Sequence, residues 1–397
     1  MKIASLLYAL VLLLLAVGGL VRIQSQPSAI PRPIWVDHTL FNTGSKVISV
    51  PGISSRNADD WIFRNTWAAH TLRALGYAIR TSAGQVPGWL LLSDSVWKKD
   101  KVQILIREEL VDEYDSPPLR ATYDRNLKRY AVEAHKLENR FAVRMAFLFV
   151  PTKIFANRIH MPLHDALLSH RRMFEINSDT RLVGSDVNQR AVEAEIVSEG
   201  VPNISLLDTY KRLQGGDPTS QLYSNGDSHW SRRTVLAIGR SIAEQVVSAM
   251  KLPASCLNAE QSIQDLMRGV PTEEHMGDLF NYIQVDPAFS PLARKFSFTD
   301  IGDFSALPAY KSGLATKSAG CPDVIFAGSS YGASHVGEGD VAQSIGLHYR
   351  GNVINRSVAG KGPFGPIREL KDIRPGSIVI WEFPFRSMKD GGAFASP

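Results

Sequence analysis

The sequence predicts an α/β domain on a mostly parallel sheet, and three observations lead there. Short, nearly continuous apolar runs recur: VRMAFLFV at 143–150, DVIFA at 323–327, NVIN at 352–355 and SIVIWEF at 377–383. Strands that read as apolar throughout, rather than alternating, are covered on both faces, as parallel strands are. Stretches with helical spacing lie among these runs, and helix followed by buried strand is the rhythm of this class. The composition, 44% hydrophobic and 21% charged, suits a globular chain and excludes both disorder and a multi-span membrane protein. No break in composition divides the chain beyond its first residues, so one domain is expected over 36–397.

The elements follow in order. Lys2 precedes an uncharged stretch, Ile3 to Val21, closed by Arg22. As a helix it would span about 28 Å, enough for a bilayer core. Residues 1–22 are therefore expected to be a retained signal-anchor or a cleaved signal peptide, and either would export the remainder. Residues 23–35, IQSQPSAIPRPIW, read as a linker. GQVPGWLLLSD at 84–94 reads as a turn entering a strand. Residues 119–140 carry Leu127, Tyr130, Ala131, Ala134 and Leu137 in an amphipathic helix, directly before the 143–150 strand. ISLLD at 204–208 is a further strand. Residues 230–250 form a helix with Val235, Ile238, Ile242 and Val246 on one face. The stretch 255–320 has weak periodicity and supports no element.

The remaining bulk properties bound partners. The net charge of +5 is compatible with an anionic partner without identifying one, and nothing points to nucleic acid. Cys256 and Cys321 fit an oxidising compartment, either as one disulfide or as two buried thiols. No Cys/His spacing suggests a metal site, and no cofactor is expected.

Three segments carry the candidate chemistry. NGDSHW at 225–230 sets Asp227 and His229 two apart, just before a helix. An imidazole can take a proton from a hydroxyl, and a carboxylate fixes its tautomer. The same residues could instead be a helix cap, from Asp227 or Ser228, beside a surface histidine. VIFAGSSY at 324–331 runs a buried strand into Gly-Ser-Ser, and sites of open α/β sheets lie beyond the carboxyl ends of strands. The alternative is an ordinary glycine-serine loop. NRSVAGKGPF at 355–364 also follows a strand, with Gly360 and Gly362 permitting close backbone approach and Asn355 offering a side-chain N–H.

On these segments the chain resembles the alginate O-acetyltransferase family, the AlgJ/AlgX-type proteins with an SGNH-hydrolase-like fold. Gly88-Trp89-Leu90 is similar to that family's Gly-Trp-Leu, and FVPTK (149–153) to its Val-Pro-x-Lys strand end. DSHW (227–230) is similar to its Asp-Thr-His-Trp, GSSY (328–331) to its Gly-Thr-Ser-Tyr, and IWEFPFR (380–386) to its Trp-Glu-x-Pro-x-Arg. The resemblance implies a three-layer SGNH-hydrolase-like domain. The Asp-His pair precedes the serine, which implies a circularly permuted motif order. It implies Ser330 as nucleophile, His229 as base and Asp227 as its orienting carboxylate. The oxyanion would be held by the Ser330 amide and the 355–362 loop, with Asn355, Gly360 and Gly362. Tyr331, Lys153 and Arg386 are candidate substrate residues. Lys153 and Arg386 would meet a uronate carboxylate, although Glu382 and Arg386 could equally form a structural ion pair at a strand end. Trp230 reads as packing behind the histidine.

The implied reaction moves an acetyl group onto an exported, alginate-like polysaccharide through an acetyl-serine. The donor would be relayed by a membrane-bound acyltransferase, and the location would be the periplasm, at the inner membrane. The sequence closes soon after Arg386, so the AlgJ type is expected, without the carbohydrate-binding module of the AlgX type. Two alternatives share the residues: a carbohydrate acetylesterase with the same triad, and a non-catalytic scaffold of a secretion complex.

Overall fold

The stretch predicted as an amphipathic helix is α1, Pro117–Phe141, in the computed structural model of the chain. Pro117 sits in its first turn, where a missing N–H costs nothing, and Ala142 ends it in the left-handed region at φ 52°. The structure describes residues 42–43, 46–47, 90–94, 102–106, 109, 112–157, 181–216, 222–224, 226–259, 261–275, 277–279, 298–301, 318, 320–333, 341–359 and 363–389. The chain divides into two compact units, Met1–Gly88 with Phe280–Lys295, and Trp89–Leu279 with Phe296–Pro397. Described residues of the expected 36–397 domain fall in both. The expected membrane segment and linker, 1–35, lie outside the described residues. No helix among the described residues is long and apolar enough to cross a membrane. The first unit contributes an antiparallel pair, Asn42–Thr43 with Lys46–Val47.

The second unit holds a five-stranded sheet in which every pairing is parallel. After α1 come β1 (Arg144–Val150), α2 (Ser185–Ser198), β2 (Asn203–Ser205), α3 (Leu207–Gly216) and α4 (Arg232–Ala249). The chain then supplies β3 (Val324–Ala327), α5 (Val341–His348), β4 (Val353–Asn355) and β5 (Ile378–Pro384). The sheet order is β4-β3-β5-β1-β2. Leu90–Asp94 pairs with Val102–Ile106 outside this sheet, antiparallel.

Side-chain alternation along each strand makes three layers. Met145, Phe147 and Phe149 of β1 and Val379, Trp381 and Phe383 of β5 point to one face, where α1 and α2 bring Leu127, Tyr130, Val192 and Ile196. Ala146, Leu148 and Val150 of β1 and Ile378 and Ile380 of β5 point to the other, against Val235, Ile238, Ile242 and Val246 of α4 and Ile345 of α5. The three inner strands, β1, β3 and β5, are thus buried on both faces, as their unbroken apolar runs require, while the edge strands β2 and β4 are partly exposed.

Two boundaries differ from the sequence reading. The strand at 204–208 stops at Ser205, and Leu207 opens α3. Its apolar run is shared between a strand end and a helix start, which apolarity alone cannot divide. The helix after the DSHW segment is capped by neither Asp227 nor Ser228. Ser231 caps it, its hydroxyl accepting from Thr234 N–H at 3.1 Å. Cys256 and Cys321 form a disulfide, with Cα atoms 5.6 Å apart.

Candidate active site

The site stands at the carboxyl ends of the parallel strands. Ser330 follows β3, Lys153 follows β1, Asn355 ends β4, and Glu382 lies near the end of β5. The Asp227–His229 loop leads into α4. Its entry is fixed by Ser231 N–H donating to Leu222 O and by Ser231 capping the helix.

Three of the expected residues meet in one chain of hydrogen bonds. Ser330 Oγ lies 2.8 Å from His229 Nε2, and His229 Nδ1 lies 2.7 Å from Asp227 Oδ1. Asp227 and His229 are buried and Ser330 is half-buried. Burial pushes the Asp227 carboxyl up. The hydrogen bond and charge of His229, with amide N–H donors, outweigh that and hold it below the usual carboxylate range. An ionised Asp227 can only accept, so Nδ1 carries the proton and Nε2 is left to accept from the Ser330 hydroxyl. The arrangement can lift a proton from Ser330 and stabilise the imidazolium that results.

The turn carrying Ser330 is shaped by Glu382. This buried carboxylate accepts from Ser329 N–H at 2.8 Å and from Ser329 Oγ at 3.0 Å. Burial pushes its pKa up to about 7, against those hydrogen bonds. A side chain on Gly328 would place Cβ 2.2 Å from Glu382 Oε2, so the turn and the carboxylate fit only with glycine there. Glu382 is therefore not the ion-pair partner expected for Arg386. Arg386 pairs instead with Glu109, at 2.7 Å.

Lys153, Tyr331 and Arg386 lie behind the loop and hold it. Lys153 is 1% exposed and its ammonium donates to Asp227 O at 2.7 Å. Burial pushes its pKa down to about 8, against the charges of Asp227 and Glu109. Tyr331, buried, donates its hydroxyl to Ser228 O and accepts from Arg386 at 3.0 Å. Glu109 joins them, accepting from Arg386 and from Lys153 N–H at 2.9 Å. An ammonium enclosed in this way is committed to the protein rather than presented to a uronate. Asn355 braces its own loop: its amide donates to Gly332 O at 2.7 Å and its oxygen accepts from Ser357 N–H at 2.9 Å. Gly360 and Gly362 lie outside the described residues. Trp230 is buried and donates its indole N–H to Tyr331 O at 3.1 Å, in the packing position expected.

Two participants were missed in the sequence. Glu109 precedes α1 in no recognisable motif. Asp278 falls in the stretch of weak periodicity, yet both its carboxylate oxygens accept from Ser228, N–H at 2.6 Å and hydroxyl at 2.7 Å. Its own N–H donates to Asp227 Oδ2 at 3.0 Å. Asp227, His229 and Asp278 offer ligand atoms within 4.8 Å of one another, but the Nδ1 that faces the carboxylates bears a proton and is no metal ligand.

Residues 119–385 match the family described as SGNH hydrolase-like domain, acetyltransferase AlgX. The protein named "Probable alginate O-acetylase AlgJ" of Pseudomonas syringae pv. tomato is 28% identical over 193 residues, 45% of this chain and 45% of that one. Its namesake in Pseudomonas aeruginosa is 22% identical over 267 residues, 62% of this chain and 60% of that one. The chain thus spans about half the length of these relatives where it matches them. Among solved structures, the O-acetyltransferase domain of Pseudomonas putida AlgJ is 18% identical, with a TM-score of 0.43 over 76% of this chain and 92% of that one. Pseudomonas aeruginosa AlgX is 13% identical, with a TM-score of 0.45 over 79% and 68%. The family match takes in more than half of the sequence and all five strands of the parallel sheet, and the chain belongs to the SGNH hydrolase-like, AlgX-type acetyltransferase domain family.

Proposed function

We propose that this chain transfers acetyl groups to hydroxyls of an exported, alginate-like polysaccharide through an acetyl-serine on Ser330. The observation that carries the reading is the unbroken run from Ser330 Oγ to His229 to Asp227, at 2.8 and 2.7 Å. Membership of an acetyltransferase family and relatives named for alginate O-acetylation support the acyl group and the acceptor class.

Ser330 Oγ attacks the acetyl carbonyl of the donor while His229 Nε2 takes its proton. The tetrahedral oxyanion is held by the Ser330 N–H. Collapse expels the donor's leaving group, which takes the proton from His229. A sugar hydroxyl then attacks the acetyl-serine, giving its proton to His229, and the released Ser330 recovers it. No cofactor is required. The acetyl group reaches the site from a membrane-bound acyltransferase, residues 1–22 tether or export the chain, and the reaction takes place in the periplasm.

The test uses the full chain with a synthetic acetyl ester and polyuronate oligomers, with mass spectrometry of the sugars. Acetylated oligomers are expected from the wild type and none from Ser330→Ala. Asp227→Asn, which removes the charge and can turn an amide N–H toward Nδ1 so that the wrong imidazole tautomer is favoured, is expected to lose about 10⁴-fold in turnover. Ser330-dependent ester cleavage without sugar acetylation would instead establish the esterase. Turnover indifferent to Ser330 would leave a scaffold role.

A further inference from the structure

His229 faces two carboxylates. Asp227 Oδ1 accepts a hydrogen bond from its Nδ1–H at 2.7 Å, and Asp278 Oδ2 lies 3.8 Å from the same nitrogen. Asp278 comes from a segment fifty residues further along the chain, and among the described residues its hydrogen bonds go to Asp227 and Ser228. Its side chain grips Ser228 through two hydrogen bonds, and its N–H occupies the Asp227 oxygen that His229 does not use. Gly277, immediately before it, has φ +81°, and a Cβ there would stand 2.4 Å from Gly226 C and 2.5 Å from Asp227 N. Only glycine allows that approach and that backbone conformation together.

We propose that Asp278 is a positioning residue for acetyl transfer, a second carboxylate that fixes the Asp227–His229 loop and supplies negative charge to the imidazolium formed in each half-reaction. The proposal rests on the reading of Ser330, His229 and Asp227 given above. Asp278 does not touch the reacting atoms; it acts through Ser228, Asp227 and the field at Nδ1. Both its oxygens accept, which is the pattern of the ionised form. Burial and the Asp227 charge raise its pKa, and the charge of His229 and the Ser228 hydrogen bond oppose that rise. Its side chain is 36% exposed, so its field is partly screened. The other charged or titratable groups around His229 are Asp227 in its own loop, Lys153 on the Asp227 carbonyl, Glu382 beneath Ser329, and Tyr331, whose ring centre is 4.9 Å away with Arg386 behind it. Of these, Asp227 and Lys153 also feel the Asp278 charge, so its replacement acts on His229 both directly and through them.

Asp278→Asn removes the charge and preserves an acceptor for Ser228 N–H. The titration of His229 is followed by NMR of the full chain carrying labelled histidine, its signal identified by its loss in His229→Ala. His229 is expected to titrate about half a unit or more lower in D278N than in the wild type. Its turnover of acetyl ester is expected to fall about tenfold in kcat with KM unchanged, and the acidic limb is expected to move down with the titration. Asp278→Glu retains the charge and displaces the brace, so kcat should fall while the titration stays in place. Thermal melts qualify both variants, and D278E decides the question of the brace if D278N does not fold. A His229 titration unmoved in folded D278N, or wild-type kcat in D278E, would overturn the proposal. Absence of Ser330-dependent turnover in the wild type would count against acetyl transfer itself. The NMR titration needs no substrate and still decides whether Asp278 acts on His229.

Discussion

Glu382 shows what one residue costs when the site is built around it. Its carboxylate is fully buried, and burial raises its pKa to about 7 from 4.5. A folded pKa raised above the unfolded value favours the folded state while the group is protonated. That contribution is complete below about pH 4.5 and is lost as pH rises through 7. Glu382→Gln keeps a side chain of the same shape and cannot ionise. Its melting temperature is therefore expected to gain on the wild type progressively between pH 4.5 and 8, checked by calorimetry across that range; a difference constant with pH would remove Glu382 as the source. The role of Glu382 was not legible in the sequence, where its spacing from Arg386 suggested an ion pair. A spacing of four shares a face only while the strand continues, and the chain leaves β5 after Pro384 for a 3-10 turn at Phe385–Met388. That Ser330, His229 and Asp227 come together was foreseen through the resemblance of DSHW and GSSY to family motifs, because spacing alone left a helix cap and an ordinary glycine-serine loop open. Asp278 was not, because its contacts join segments fifty residues apart and lie in no periodic element.

At the scale of elements, the strands and long helices declared themselves because burial on two faces, or on one stripe, leaves a pattern in hydrophobicity. Their ends were less visible, since an apolar run does not record where a strand yields to a helix, as at Ser205–Leu207. The cap of α4 is the instructive case. Three polar residues stood within reach of the helix start, and only the hydrogen bonds distinguish Ser231 from Asp227 and Ser228. Because Ser231 follows His229 by two residues, the cap also sets where the histidine loop ends. Ser231→Ala is expected to destabilise the fold by about 1 kcal/mol, measured by denaturant melts, and to lower kcat beyond what that loss of folded protein explains. Unchanged turnover at equal folded fraction would separate the cap from the site.

Across the whole molecule, the disulfide spans 65 residues and ties the segment after α4 to the entry of β3. Closing a loop of that length is worth about 4 kcal/mol by the chain-entropy argument. A Cys256→Ser, Cys321→Ser double variant is expected to melt well below the wild type, and reducing agent should lower the wild type similarly. Equal melting temperatures would show the reduced chain to be held by packing alone. The sheet order has a further consequence, concerning time. β5 is the last of the five strands in the chain, yet it sits at the centre, between β3 and β1. Until residues 378–384 have been synthesised and delivered, β3 and β1 have no common neighbour. Glu382 is also missing from beneath the serine turn. A nascent chain therefore carries Asp227, His229 and Ser330 before the sheet at whose carboxyl ends they meet is complete.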